Sequence, residues 1–136
     1  MRGTKVRRIL VCTGPTGGHF FPAVSFAETY RAEHPEREVH LLMNRLPDFA
    51  GAWLSQSGVR IHLIRFSSPG GLFSLKGIAL LIEYVLAVCK TIRLVYQLRP
   101  TLVVGFGSYS TIFAVLVARS FGIPILLHEQ NRSAGR

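Results

Sequence analysis

The chain has 136 residues, 49% of them hydrophobic and 17% charged, a balance that excludes a disordered polymer and suffices for one domain with a sizeable core. Sixteen Lys and Arg against seven Asp and Glu leave a formal charge of +9. That excess suits an anionic partner (nucleic acid, an anionic membrane surface or a phosphorylated substrate) or simply a basic, solvated surface. The cations are dispersed and no nucleic-acid module is recognisable, so no nucleic-acid partner is expected.

Cys12 and Cys89 both fall inside apolar runs, where buried thiols of a reducing cytosol are expected rather than a disulfide or a metal pair. The basic start, with Arg2, Lys5, Arg7 and Arg8, precedes an apolar run too short for a signal peptide. The longest apolar stretch, Ile78 to Cys89, contains Glu83 and is too short to span a bilayer. The chain is therefore expected in the cytoplasm, free to lie on a membrane surface.

Strand and helix signals alternate. Ile9 to Cys12 reads as a buried strand closed by the tight loop Thr13-Gly14-Pro15-Thr16-Gly17-Gly18. Pro22 suits the first turn of a helix reaching about Glu33, stopped by His34-Pro35. Val39 to Met43 is a second strand. Pro47 opens a helix through Trp53 and Leu54 that ends near Gly58, and Ile61 to Phe66 is a third strand. After a Ser/Pro/Gly loop, a long helix runs from about Leu75 to Leu98. Leu102 to Val104 is a fourth strand, Ile112 to Phe121 a helix capped by Gly122, and Ile125 to Leu127 a fifth strand. The alternation implies an α/β fold with a doubly wound, Rossmann-like parallel sheet. Ligands in such sheets gather beyond the carboxyl ends of the strands.

Three segments fall there. Thr13 to His19 places glycines between a strand and a helix, where backbone amides and the helix N-terminus can approach an anion. It lacks the Lys-Ser/Thr of a Walker loop and the spacing of the dinucleotide fingerprint. Alone it is equally consistent with an unliganded turn. Gly105-Phe106-Gly107-Ser108-Tyr109-Ser110-Thr111 repeats the setting with two glycines and four hydroxyl residues after the fourth strand, and N-capping alone would account for it. In the third, His128-Glu129-Gln130-Asn131 directly follows an apolar strand, so these four polar residues cannot all be core.

Thr-Gly-Gly-His followed by Pro-Ala, then Val-Gly-Phe-Gly-x-Tyr, then Gly-Ile-Pro-x-x-x-His-Glu-Gln-Asn, in this order, resembles the MurG family of UDP-N-acetylglucosamine transferases (glycosyltransferase family 28) over essentially the whole chain. The resemblance implies the N-terminal, acceptor-side half of a GT-B enzyme. Such an enzyme transfers N-acetylglucosamine from UDP-N-acetylglucosamine to a polyprenyl-diphosphate-linked acceptor during peptidoglycan-precursor synthesis, with no cofactor or metal. By match, Thr16, Gly17 and Gly18 would contact the donor, and His19 would sit at the reaction centre. Gly105, Gly107, Ser108 and Tyr109 would face the acceptor diphosphate. Glu129 is the second candidate base and Asn131 a donor contact.

Departures from the family pattern are Pro15 for a glycine, Ser108 for the second glycine of Gly-Gly-Tyr, and Thr111-Ile112-Phe113 for Ser-Gly-Pro. The end at Arg136 leaves no donor-binding domain in this sequence, so the chain is expected to be a single acceptor domain, inactive alone. The alternative is a membrane-side subunit or non-catalytic module that recruits a separate donor-binding subunit. On the long helix Lys76, Glu83, Lys90 and Gln97 recur every seven residues as one polar stripe. Packing against the sheet is expected to bury most of the apolar remainder, namely Leu75, Ile78, Leu81, Ile82, Val85, Leu86, Cys89 and Ile92. Leu72, Phe73 and Leu75 beside Lys76 form an apolar patch with a cation, suited to an anionic bilayer surface. The resemblance implies the same peripheral docking, on the inner face of the cell membrane.

Overall fold

The computed structural model describes residues 7–67 and 75–129. In chain order the elements are β1 (Arg8–Cys12), α1 (Gly17–Glu33), β2 (Glu38–Met43), a 3-10 turn (Asp48–Ala50) leading into α2 (Gly51–Ser57), β3 (Arg60–Leu63), α3 (Leu75–Leu98), β4 (Leu102–Gly105), α4 (Tyr109–Ser120) and β5 (Ile125–Leu127). All strand pairs are parallel, in the order β3-β2-β1-β4-β5. The chain winds outward through β2 and β3, then returns to the other side of β1. The reversal between β1 and β4 opens the crevice in which such sheets hold ligands.

Strand alternation divides β1 between two cores. Ile9 and Val11 join Val39, Leu41 and Met43 under Phe20, Ala23, Val24 and Ala27 of α1. Leu10 and Cys12 face the other way, with Leu42 and Val103, toward Ala87 and Val95 of α3 and Ala114, Val117 and Ala118 of α4. Both faces of β1 and β4 are covered, which is why Ile9–Cys12 and Leu102–Val104 are continuously apolar.

Several boundaries differ from the sequence reading. Helix α1 begins at Gly17, so Pro22 lies in its second turn rather than its first. The proline forfeits one bond, to the carbonyl four residues earlier at Gly18, close enough to the helix start for the helix to continue. Helix α4 begins at Tyr109, three residues before Ile112. Strand β3 stops at Leu63 because β2 ends at Met43, whose carbonyl accepts the Ile64 N–H at 3.0 Å.

Cys12 is fully buried, and desolvation drives its thiol pKa far upward. Cys89 is exposed, contrary to expectation. The same correction applies to most of α3. Its buried positions, Leu80, Ala87, Thr91 and Val95, form one narrow stripe toward the sheet and α4. Ile78, Leu81, Ile82, Val85, Leu86 and Ile92 are all exposed, Leu81 at 63%. A helix packed on a shared sheet face turns only part of its circumference inward, and α3 is apolar around nearly all of it. Among the described residues no helix is long and apolar enough to cross a membrane.

One polar cluster is built into the sheet. His40 on β2 is 1% exposed, and its Nδ1 lies 2.9 Å from His62 Nε2 on β3, with the rings stacked. Glu38 approaches His40 Nε2 at 3.4 Å and accepts a 2.7 Å bond from Arg8 Nε, which chiefly holds its carboxyl below the usual range. Burial lowers both imidazole pKa values. Glu38 partly offsets this at His40, while Arg60 and Arg8 add to it; at His62 the additions come from His40 and Arg60.

The unfolded chain therefore binds more protons than the folded one below about pH 6.5. Stability from this pair is complete above that pH and declines as pH falls through the lower folded values. Urea denaturation at about pH 7.5 and about pH 5.5 should show this loss, and His62→Asn should make the dependence shallower. An unchanged slope in His62→Asn would show that the pair does not set it.

Candidate functional site

The loop after β1 and the loop after β4 are bound to each other. Phe106 N donates to the Cys12 carbonyl at 2.8 Å, continuing the strand pairing past the end of β4. Ser110 Oγ, buried, donates to the Thr13 carbonyl at 2.7 Å, and Ser108 Oγ lies 2.8 Å from Ser110 Oγ. Thr111 Oγ1 donates to the Gly107 carbonyl and lies 3.3 Å from the Cys12 carbonyl. Thr13 Oγ1 donates to the His19 carbonyl at 2.8 Å, tying the first loop to the turn that follows it.

The glycines are explained by what the opposite loop puts against them. A Cβ on Gly14 would stand 2.7 Å from Ser108 Cβ. A Cβ on Gly107 would stand 2.7 Å from Cε1 and 2.8 Å from Nδ1 of His19. Each loop thus removes a side chain where the other inserts one. Gly107 also has φ +82°, a conformation that favours glycine. Ser108 follows at φ 79°, ψ 164°, a region occupied almost only by glycine. Its hydroxyl contact with Ser110 helps hold that strained backbone.

Helix α1 opens at this point. Thr16 occupies its N-cap position without a side-chain cap, and its carbonyl accepts from His19 N at 3.0 Å and Phe20 N at 2.8 Å. Gly17 and Gly18 supply first-turn amides with no carbonyl a turn earlier to bond. Neither α1 nor α4 carries an acidic residue in its first turn, so both positive helix ends remain open to an anion.

Beyond β4 and β5 lies a cavity of about 450 Å³ lined by Gly105, Gly107, Ser108, Tyr109, Thr111, Ile112, Leu127, His128 and Glu129. His128 N bonds the Gly105 carbonyl at 2.8 Å, and its ring packs against Phe106. The structure thereby brings Gly105, Gly107, Ser108, Tyr109 and Glu129 together, with His19 against the Gly107 wall. Thr16, Gly17 and Gly18 stand outside the cavity lining. Asn131, Leu72 and Phe73 lie outside the described residues, as do the side chains of Leu75 and Lys76. Among the described residues no group of three or more His, Cys, Asp or Glu could hold a metal ion.

Thr13 and Ser110 escaped the sequence reading as site residues because their hydroxyls act on backbone carbonyls, of His19 in its own segment for Thr13 and of Thr13 in the other loop for Ser110. Their only signal was a hydroxyl placed just past a strand end.

The interdigitation predicts a coupling between two glycine-loop positions. Gly14→Ala should cost about 1–3 kcal/mol by overpacking against Ser108. In a Ser108→Gly background the same change should cost about 1 kcal/mol less, read from a double-mutant cycle of denaturation free energies. Equal costs in both backgrounds would mean that the two residues do not meet.

Residues 9–136 match the glycosyltransferase family 28 N-terminal domain. A UDP-N-acetylglucosamine–N-acetylmuramyl-(pentapeptide) pyrophosphoryl-undecaprenol N-acetylglucosamine transferase from Rickettsia canadensis is 34% identical over 134 residues, covering 96% of this chain and 34% of its own length. The protein of the same description from Magnetococcus marinus is 38% identical over 135 residues, covering 95% and 35%. The crystal structure of Acinetobacter baumannii MurG superposes with a TM-score of 0.76 at 27% identity, covering 95% of this chain and 37% of that one. A domain of a Pyrococcus furiosus hydrogenase, 14% identical with a TM-score of 0.62, shares the fold alone. The chain spans about a third of the length of the curated relatives it matches. With its two interlocked glycine loops at the switch point of a parallel sheet, the chain belongs to the glycosyltransferase family 28 N-terminal domain family.

Proposed function

We propose that this chain is the acceptor-side half of a glycosyltransferase that moves N-acetylglucosamine from UDP-N-acetylglucosamine to a sugar carried on a polyprenyl diphosphate, as in peptidoglycan-precursor synthesis. The observation that carries the reading is the His19 ring held against Gly107 beside the cavity of the second glycine loop. The acceptor's 4-hydroxyl attacks the anomeric carbon, the bond to UDP breaks, and the configuration inverts. A base must take the hydroxyl proton. His19 suits this role because an imidazole nitrogen can take up a proton, and Glu129, which lines the cavity, is the second candidate. The first-turn amides of α1 and α4 and the hydroxyls of Ser108 and Tyr109 would balance phosphate charge. Thr16, Gly17, Gly18 and Asn131 would meet the donor, whose larger part is held elsewhere.

The donor-binding half belongs to the same polypeptide or to a second subunit. Leu126 and Leu127 on the β5 edge are 51% and 61% exposed, beside exposed Ile112 and Leu116 of α4. That apolar edge favours cover from such a partner.

The outer face of α3 supports work at a membrane. Ile78, Leu81, Ile82, Val85, Leu86 and Ile92 are exposed on a helix that also carries Lys90 and Arg93. An apolar stripe with cations beside it suits peripheral attachment to an anionic bilayer on its cytoplasmic side, together with the patch at Leu72, Phe73, Leu75 and Lys76.

His19→Ala, assayed with a donor-binding half supplied, should lower turnover by roughly 10²–10⁴-fold while leaving thermal stability nearly unchanged. Full-rate turnover by a folded His19→Ala protein would remove this side chain from the mechanism. Sedimentation with vesicles gives a separate test. Anionic vesicles should retain the chain at low salt and release part of it as salt rises. Leu81→Ser with Val85→Ser should weaken retention without loss of folding. Equal binding to neutral and anionic vesicles would exclude the role given to the cations.

A further inference from the structure

A second polar cavity opens at the carboxyl ends of β2 and β3, on the other arm of the sheet from the glycine loops. It measures about 410 Å³ and is lined by Asn44 and Arg45 after β2, Arg65 to Ser67 after β3, and Glu83, Leu86 and Lys90 of α3. Its walls are fixed. Ser67 N donates to Glu83 Oε2 at 2.9 Å, and the Tyr84 hydroxyl donates to the Ser67 carbonyl at 3.2 Å. Phe66 packs edge-on against Tyr84 and Phe113.

Two features of this cavity are unaccounted for by folding. Three cations, Arg45, Arg65 and Lys90, share it with one carboxylate, and none of the three makes an ion pair among the described residues. Glu83 is already engaged with the Ser67 amide. In addition, Asn44 Oδ1 is buried without a hydrogen-bond partner. Such an oxygen is costly to leave unmade and calls for a donor. Cations alone would accept any anion; the amide oxygen adds a demand for an O–H or N–H on the same ligand.

We propose that this cavity binds a phosphate ester bearing a free hydroxyl: the phosphate on Arg45, Arg65 and Lys90, and the hydroxyl donating to Asn44 Oδ1. The volume is in the range of small-ligand pockets and accommodates a glycerol- or sugar-sized polyol. The ester has two possible sources. One is a soluble polyol phosphate. The other is a phospholipid headgroup, because Leu86 both lines the cavity and belongs to the exposed stripe of α3. The inference stands on this cavity's own residues and does not require transferase activity.

The test is a titration of the isotope-labelled chain, following the Asn44 side-chain amide and arginine Nε signals by NMR. Glycerol 3-phosphate and methyl phosphate are the soluble probes; phosphatidylglycerol and phosphatidylcholine vesicles are the lipid probes. Glycerol 3-phosphate should perturb these signals at lower concentration than methyl phosphate. The exposed-site variant Arg65→Ala should weaken binding about tenfold, and Asn44→Ala should erase the preference for the hydroxylated ester. If only phosphatidylglycerol vesicles respond, with the same dependence on Arg65 and Asn44, the source is the headgroup. Perturbations confined to Gly105–Tyr109, or binding of every probe indifferent to Arg65→Ala, would overturn the proposal, as would no response to any probe. Folding of each variant is checked by its amide spectrum.

Discussion

The reciprocal fit of the two glycine loops is the constraint on which the site depends. Ser108 reaches into the space left at Gly14, and His19 into the space left at Gly107. Parallel pairing of β1 with β4 brings the two loops to the same edge, and the bond from Phe106 N to the Cys12 carbonyl carries that pairing one residue further. Ser110 then locks the arrangement by bonding the Thr13 carbonyl. Position, not intrinsic reactivity, is what this network supplies. It fixes an imidazole, two helix starts and several hydroxyls relative to one another before any ligand arrives.

The Ser108 backbone shows what that fixation costs. Conformations of this kind typically cost about 1–3 kcal/mol for a residue with a side chain. A glycine would avoid the cost but lose the hydroxyl that meets Ser110. The chain keeps the strain and gains a hydroxyl facing the cavity. The glycine at position 14 leaves the room that the serine at position 108 occupies, across the interface between two strands.

Much of this architecture was legible in the sequence. A continuous apolar run at Ile9–Cys12 announced a buried strand, and the long helix was delimited at Leu75 and Leu98, as observed. The three polar segments fell at strand ends because alternating β and α elements leave them nowhere else. Helix starts were harder. Glycine and serine at Gly17 and Tyr109's neighbour Ser108 read as loop by propensity, whereas tertiary packing of Phe20 and Ala114 draws the helices back to the strand ends. The exposure of α3 was not legible either. Apolar periodicity reports which residues resist water, not which of them the sheet has room to cover. The partnership of Ser110 with Thr13 depends on contacts across 97 positions in sequence and has no local signature.

That uncovered face links the fold to the charge of the chain. A helix serving only as sheet cover would place polar residues outward; among the described residues, α3 instead leaves six large aliphatic side chains about half exposed. Fully burying such a side chain is worth about 1.5–3 kcal/mol, so completing their burial yields roughly 1 kcal/mol each. A basic residue close to an anionic bilayer contributes about 1 kcal/mol. The two contributions are of similar size for each residue, and the chain has both an apolar stripe and an excess of cations. The proposed attachment therefore draws on both. In the proposed attachment salt removes only the electrostatic part, so the fraction that stays bound measures how far the apolar stripe of α3 is seated.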